Sequence, residues 1–283
     1  MIHIVTDSTS DLPEGFAEQY SIPIIPLHIN FGDQEYRDGV DLTPDEFYEK
    51  IRSTNDFPVT SAPTVAEFCD IYQQFDDKNT VLSIHISSKM SQTVSHALKA
   101  VQICDTGAKI HVIDSLNASF GLGNIVLAAQ RMIQNQVPVD TILRRLEQII
   151  QRNQVIFAVP NLDFLKRGGR IGQARSMVGK LLGYKPILGT RNGEIVALSK
   201  VKDRKHFPQE IVKLMKQHLD GATCIRGGVF HVHAEAAMET LREHIEDTFN
   251  CVELVTARAG AVIGSHTGYG AIAVAYYAAE DDA

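Results

Sequence analysis

The chain has 283 residues, of which 44% are apolar and 22% charged, with a formal net charge of −7. This is an ordinary globular composition, large enough for two domains and for a core that needs no disulfide or metal staple. An acidic chain without a basic run argues against a partner with a phosphate backbone, so no nucleic acid is expected.

The first half alternates strand and helix signals. Ile2 to Val5 is a short apolar run ending in a polar turn, Thr6-Asp7-Ser8-Thr9-Ser10-Asp11, and helical spacing begins at Pro13. Ile22 to Ile29 is a second apolar run. Thr43-Pro44-Asp45-Glu46 is a capping box with proline at the first helical position, which predicts a helix to about Arg52. Thr64 and Glu67 form another capping box, opening a helix to about Phe75. A strand follows over Thr80 to Ile86, then a hydroxyl-rich turn and a helix to about Ile103. Lys109 to Ile113 reads as a strand, and two helices follow, from about Ser119 to Gln134 and from Asp140 to Arg152. This alternation predicts a parallel sheet flanked by helices, an α/β fold.

Beyond it the pattern changes. Val155 to Val159 is a strand, Leu162 to Lys166 a short helix, and Gly168-Gly169-Arg170-Ile171-Gly172 a break before a further helix reaching Leu182. Asn192-Gly193 between apolar runs predicts a hairpin. A helix near Pro208 to His218, a strand over Gly228 to Val232, a helix over Glu235 to Ile245 and a strand over Val252 to Thr256 complete an α+β half with a mixed sheet. We expect two domains, 1–156 and 157–283, without repeats or a low-complexity linker. The segment from Ala259 to Ala279 carries no charged residue and has two G-x-x-x-G spacings. Its four glycines and its Ser265-His266-Thr267 centre predict a buried strand, glycine-rich loop and small-residue helix, not a membrane span.

Cys69, Cys104, Cys224 and Cys251 include no C-x-x-C pair, so neither a zinc ribbon nor a redox motif is indicated. Scattered cysteines and an N-terminus without a basic or long apolar stretch predict a cytoplasmic protein.

Chemistry concentrates in the hydroxyl clusters: Thr6 to Ser10, Thr60-Ser61 with Thr64, Ser87 to Thr93, and Ser115. Ligand crevices of open α/β sheets lie beyond the carboxyl ends of the strands, so several clusters should meet there. Ser91 and Thr93 sit where a helix begins, and helix N-termini favour anions. Serine and threonine are also ordinary N-caps, so each cluster alone has a structural explanation. There is no Walker loop and no G-x-G-x-x-G after a strand, and neutral hydroxyls suit one carboxylate better than a triphosphate. His266, in a glycine-rich loop, and Arg170 are further candidates, the latter with the alternative task of satisfying helix-end carbonyls. His231 and His233, two apart on a strand, could ligate a metal but lack partners fixed by spacing. A Ser-His-Asp hydrolase could be drawn from Ser91, His266 and Asp7 or Asp114, although no G-x-S-x-G elbow exists. A phosphate- or nucleotide-binding module built on the same clusters is a third reading.

These residues also carry a family likeness. Thr6-Asp7-Ser8-Thr9-Ser10-Asp11-Leu12, Thr60-Ser61-Ala62-Pro63-Thr64, Ser87-Ser88-Lys89-Met90-Ser91-Gln92-Thr93, Gly168-Gly169-Arg170-Ile171 and Gly264 to Gly270 resemble, in order and spacing, the motifs of the DegV family of bacterial fatty-acid-binding proteins. The resemblance implies a Rossmann-like α/β domain and an α+β domain with one long-chain fatty acid, such as palmitate, in a tunnel between them. It implies that Thr60, Ser91 and His266 hold the carboxylate, with Ser61 close by. It further implies a carrier that is not itself an enzyme, needs no cofactor or metal, and presents the acid to a separate fatty acid kinase. The sequence departs from the family pattern at Gln92, where the family has glycine, at Val94, where it has tyrosine, and at Lys202, where it has arginine. Gln92 could crowd the carboxylate or shift the helix start, and Lys cannot reproduce an Arg fork.

Overall fold

Both capping boxes form. In the computed structural model, which describes residues 1–54 and 56–279, Thr43 and Thr64 each accept the N–H of the glutamate three residues on, and each glutamate returns a bond to the cap. In chain order the elements are β1 (Ile2–Asp7), α1 (Phe16–Gln19), β2 (Ile24–Ile25), β3 (His28–Phe31), β4 (Gln34–Arg37), α2 (Pro44–Ser53), β5 (Val59–Ser61), α3 (Val65–Tyr72), β6 (Thr80–His85), α4 (Thr93–Ile103), β7 (Lys109–Asp114), α5 (Phe120–Gln134) and α6 (Val139–Arg152). They continue with β8 (Gln154–Ala158), α7 (Asp163–Arg167), β9 (Lys185–Arg191), β10 (Glu194–Val201), α8 (Phe207–Leu219), β11 (Cys224–His231), α9 (Glu235–Glu246), β12 (Asn250–Arg258), α10 (Ala261–Thr267) and β13 (Ile272–Ala278).

The expected parallel sheet has the order β2-β1-β6-β7. Side chains alternate along each strand, so one face carries Val5 and Val81 against Phe68 and Tyr72 of α3. The other carries Ile4, Leu82 and Ile84 against Leu122 and Ile125 of α5 and Ile142 and Leu146 of α6. The second sheet is mixed, in the order β10-β9-β8-β13-β11-β12. Its outer face, with Ile156, Val229 and Val274, packs on α8 and α9. Its inner face, with Phe157, Leu188, Phe230 and Ala273, meets Leu27, Ile29 and Phe47 from the first half of the chain, and Val262 and Ile263 of α10. Position 156 falls inside β8, which pairs with β13 and β9. The hairpin forms at Asn192 and Gly193, both with positive φ (51° and 84°), as its tight turn requires.

Four expectations change. The run over 22–29 is broken by Pro26 into β2 and β3, and β3 joins β4 and β5 in a separate three-stranded antiparallel sheet. The helix expected from Pro13 is only the four-residue α1. The helix expected to reach Leu182 is a 3-10 turn over Gly172–Met177, and Gly179 and Gly183 beyond it have positive φ. Cys69 of α3 and Cys104 at the end of α4 are paired as a disulfide (Cα–Cα 5.5 Å) because those two helices pack side by side; Cys224 and Cys251 are free thiols.

Candidate functional site

A cavity lies over the inner face of the six-stranded sheet, bordered also by α10 and by the turns after β5 and β6. Its walls are mostly aliphatic and aromatic, including Leu27, Ile86, Phe157, Ile195, Phe230 and Val262. Its polar lining residues include Thr60, Ser61, Ser91, Arg170 and His266, with Ser119, Thr190, His231 and Thr267 elsewhere on the wall. The four residues singled out for a carboxylate, drawn from three separate motifs, therefore border one space.

Thr60 and Ser61 lie in β5, held opposite Ile29 and His28 of β3. They reach the cavity from an antiparallel strand, not from the end of a parallel one as the hydroxyl-cluster argument expected. Ser91 belongs to the turn after β6, and its Oγ accepts the Thr93 N–H (3.3 Å) and shares a hydrogen bond with Thr93 Oγ1 (2.8 Å) at the start of α4. Gln92 is exposed, precedes the start of α4 at Thr93 and is not among the residues lining the cavity. Val94 is buried and Lys202 is exposed.

His266 is not in a loop. It occupies the last turn of α10, and its Nε2 is 2.8 Å from Thr60 Oγ1. Burial, reinforced by the nearby positive charge of Arg170, holds its pKa down at about 4. An imidazole with that value is neutral near pH 7 and contributes as a hydrogen-bonding group, while an anion placed beside it would raise the value. Its Nδ1 is buried without a partner and faces Gly168. Arg170 donates from Nε to the Met90 carbonyl (3.1 Å) and from Nη1 to the Gly168 carbonyl (2.8 Å). It ties the Ser91 turn to the Gly168 turn and brings a formal charge to a site expected to work with neutral groups alone.

Two buried acids fix α10 from the other end. Asp11 Oδ1 accepts the Gly260 N–H (2.8 Å), and Asp38 Oδ1 accepts the Ala261 N–H (3.2 Å). Ser119 Oγ, on the cavity wall, donates to Asp11. Neither Asp38 nor this use of Asp11 was apparent from the sequence, because only the folded chain brings positions 11, 38 and 260 together.

Neither version of the hydrolase triad is formed. Asp7 is fully buried and bonds His85 Nδ1 (3.0 Å), the Ile86 N–H and Thr9, and Asp114 accepts the Ser88 and Leu116 N–H groups, while Ser91 pairs with Thr93 and His266 with Thr60. His231 ends β11 and His233 follows with φ 48°, so they do not share a strand face. Among the described residues no group of three His, Cys, Asp or Glu side chains could hold a metal ion. No helix among them is long and apolar enough to cross a membrane.

An apolar cavity bordered by a few polar groups, over the inner face of a mixed sheet in an α/β protein, has the form of a small-molecule binding site. The chain belongs to the DegV family: the family model described as "Uncharacterised protein, DegV family" matches residues 1–279. Protein DegV of Bacillus subtilis is 33% identical over 278 residues, covering 97% of this chain and 98% of that one. The structure described as fatty acid binding of a DegV family protein from Thermus thermophilus superposes with a TM-score of 0.91 at 35% identity, covering 98% of this chain and 99% of that one. A stearic-acid-binding protein from Eubacterium ventriosum superposes with a TM-score of 0.89 at 26% identity, covering 98% of each chain.

Proposed function

We propose that this protein binds one long-chain fatty acid, such as palmitate, in the apolar cavity, with the carboxylate at Thr60, Ser61, Ser91 and His266. The single observation that carries this reading is that Thr60 and His266, 2.8 Å apart, and Ser91 border one cavity whose walls are mostly apolar. The tail supplies affinity, at about 0.8 kcal/mol for each buried methylene before ordering costs. The head needs donors, because a carboxylate only accepts. A neutral His266 that donates Nε2–H to Thr60 Oγ1 leaves the threonine proton free for the ligand. Ser91 adds a second hydroxyl, and Arg170 neutralises charge without leaving its two carbonyl acceptors. On this reading the chain before β8 and the chain from β8 onward act as two lobes closing over the lipid, and the protein is a carrier without catalytic chemistry of its own. Its bound carboxyl group is then the substrate of a separate fatty acid kinase, which should form acyl phosphate from the loaded protein and ATP.

The test is native mass spectrometry of the purified chain, with extraction of whatever it carries. Wild-type protein should hold one fatty acid per chain. Thr60→Ala and Ser91→Ala should each weaken retention about tenfold or more, the loss expected for a hydrogen bond to a charged group. Variants as fully loaded as the wild type would remove the head-group assignment.

A further inference from the structure

The polar end of the cavity can be located twice over. The Ser87–Ser91 turn is tied to the β9–β10 hairpin, since Ser87 Oγ donates to the Gly193 carbonyl (2.8 Å). His266 lies at the C-terminal end of α10. Across the sheet from β10 the cavity is lined by Phe230 of β11 with His231 and Val232, and β11 meets the start of α10 there: the Ala259 N–H, just before α10, donates to the His231 carbonyl at the end of β11 (3.0 Å). Between β10 and β11 lie four inter-strand steps, about 19 Å at the usual strand spacing, which is close to the length of an extended palmitoyl chain.

At that far end stands Phe230. It is 5% exposed, lies on the inner face of β11 and borders the cavity. Its ring is backed by Phe120 of α5 (centroids 6.3 Å apart), which is fully buried. Its partner across the β11–β12 ladder is Ala257. Ala257 lines a different space, an open groove that also takes in Leu12, Asp45 and Arg258. The cavity wall on this side is Phe230 with His231 and Val232; His231 borders the groove as well, and beside Phe230 the next strand offers only the Ala257 methyl group.

We infer that Phe230 is the end stop of the lipid cavity and sets the longest acyl chain the protein accepts. The inference rests on the fatty-acid reading above. A chain longer than the span to β11 meets a ring that cannot retreat, because Phe120 and the sheet stand behind it. Removing the ring extends the cavity toward the Ala257 groove. The added methylenes of a longer acid are then buried instead of folded back.

The experiment compares the wild type with Phe230→Ala and with Phe230→Leu, which shortens the stop but keeps an aliphatic filler should the alanine variant fold poorly. Each protein is stripped of lipid and titrated with saturated acids of fourteen to twenty-two carbons. The wild type should bind best near sixteen to eighteen carbons and poorly beyond. In either variant the affinity for the twenty-carbon acid relative to the sixteen-carbon acid should rise about tenfold, the effect of burying some two further methylenes. A wild type that binds the acids while both variants keep its length preference would overturn the inference. A wild type that binds none of them would overturn the fatty-acid reading itself.

Discussion

At Gly168 a side chain has no place to go. A Cβ there would lie 2.2 Å from His266 Nδ1, yet the residue has φ −74° and ψ −6°, a conformation any amino acid adopts. Substitution is therefore a test of space and not of backbone strain. Gly168→Ala would push the imidazole off its position 2.8 Å from Thr60 Oγ1. Overpacking of this kind costs about 1–3 kcal/mol. The variant should fold, melt a few degrees lower, and hold fatty acid at least tenfold more weakly. If calorimetry finds its affinity equal to that of the wild type, contact between His266 and Thr60 is not what orders the head-group site. The same residues show why the role of His266 could not be read in advance. Whether a histidine is a donor or a cation depends on burial and on neighbouring charge, and here both come from residues far along the chain.

Among the elements, those with local signals were legible. The two capping boxes, the short strands of the parallel sheet and the Asn192-Gly193 turn depend on neighbours a few residues apart. The misread elements depend on distant contacts. α10 contains Gly264 and is preceded by Gly260, poor helix formers, and reads as a loop. It forms because Asp11 and Asp38 cap it and because Phe47 and Tyr48 of α2 pack closely on Gly264. The placement of Thr60 on β5 is similar, since pairing with β3 across an intervening helix leaves no local mark. The disulfide between α3 and α4 was also invisible, as 35 residues separate its cysteines. Because it closes a loop of that length, reducing it should destabilise the oxidised protein by up to about 4 kcal/mol. Cys69→Ser should show the same loss, measured as a lower melting temperature that no longer responds to dithiothreitol. A wild-type melting temperature indifferent to reductant would show that the link is not present in solution or does not restrain the helices.

At the scale of the whole molecule, α10 belongs late in the chain but is held by acids from its beginning and packs on α2, β3 and β5 from the first half. Asp38 is almost fully buried, and burial pushes its pKa up to about 6; burial likewise drives Asp11 well above the usual carboxylate range, aided by the charges of Asp38 and Asp7. The bonds from the start of α10 and from Ser8 pull Asp38 the other way but do not prevail. For such a group the native state takes up its proton at a higher pH than the unfolded chain does. Between about pH 4 and 6 the native state binds more protons, so the contribution to stability is complete below the unfolded value and is lost as pH rises through 6. Acidification should thus tighten the junction rather than loosen it. Asp38→Asn removes the titration while keeping an oxygen to accept the Ala261 N–H. The melting temperature of the wild type relative to this variant should rise between about pH 8 and pH 5 by a few degrees, corresponding to about 1 kcal/mol. A gap that stays constant or narrows over that range would mean that Asp38 keeps its charge in the folded protein, and the hold on α10 would then be that of an ionised cap.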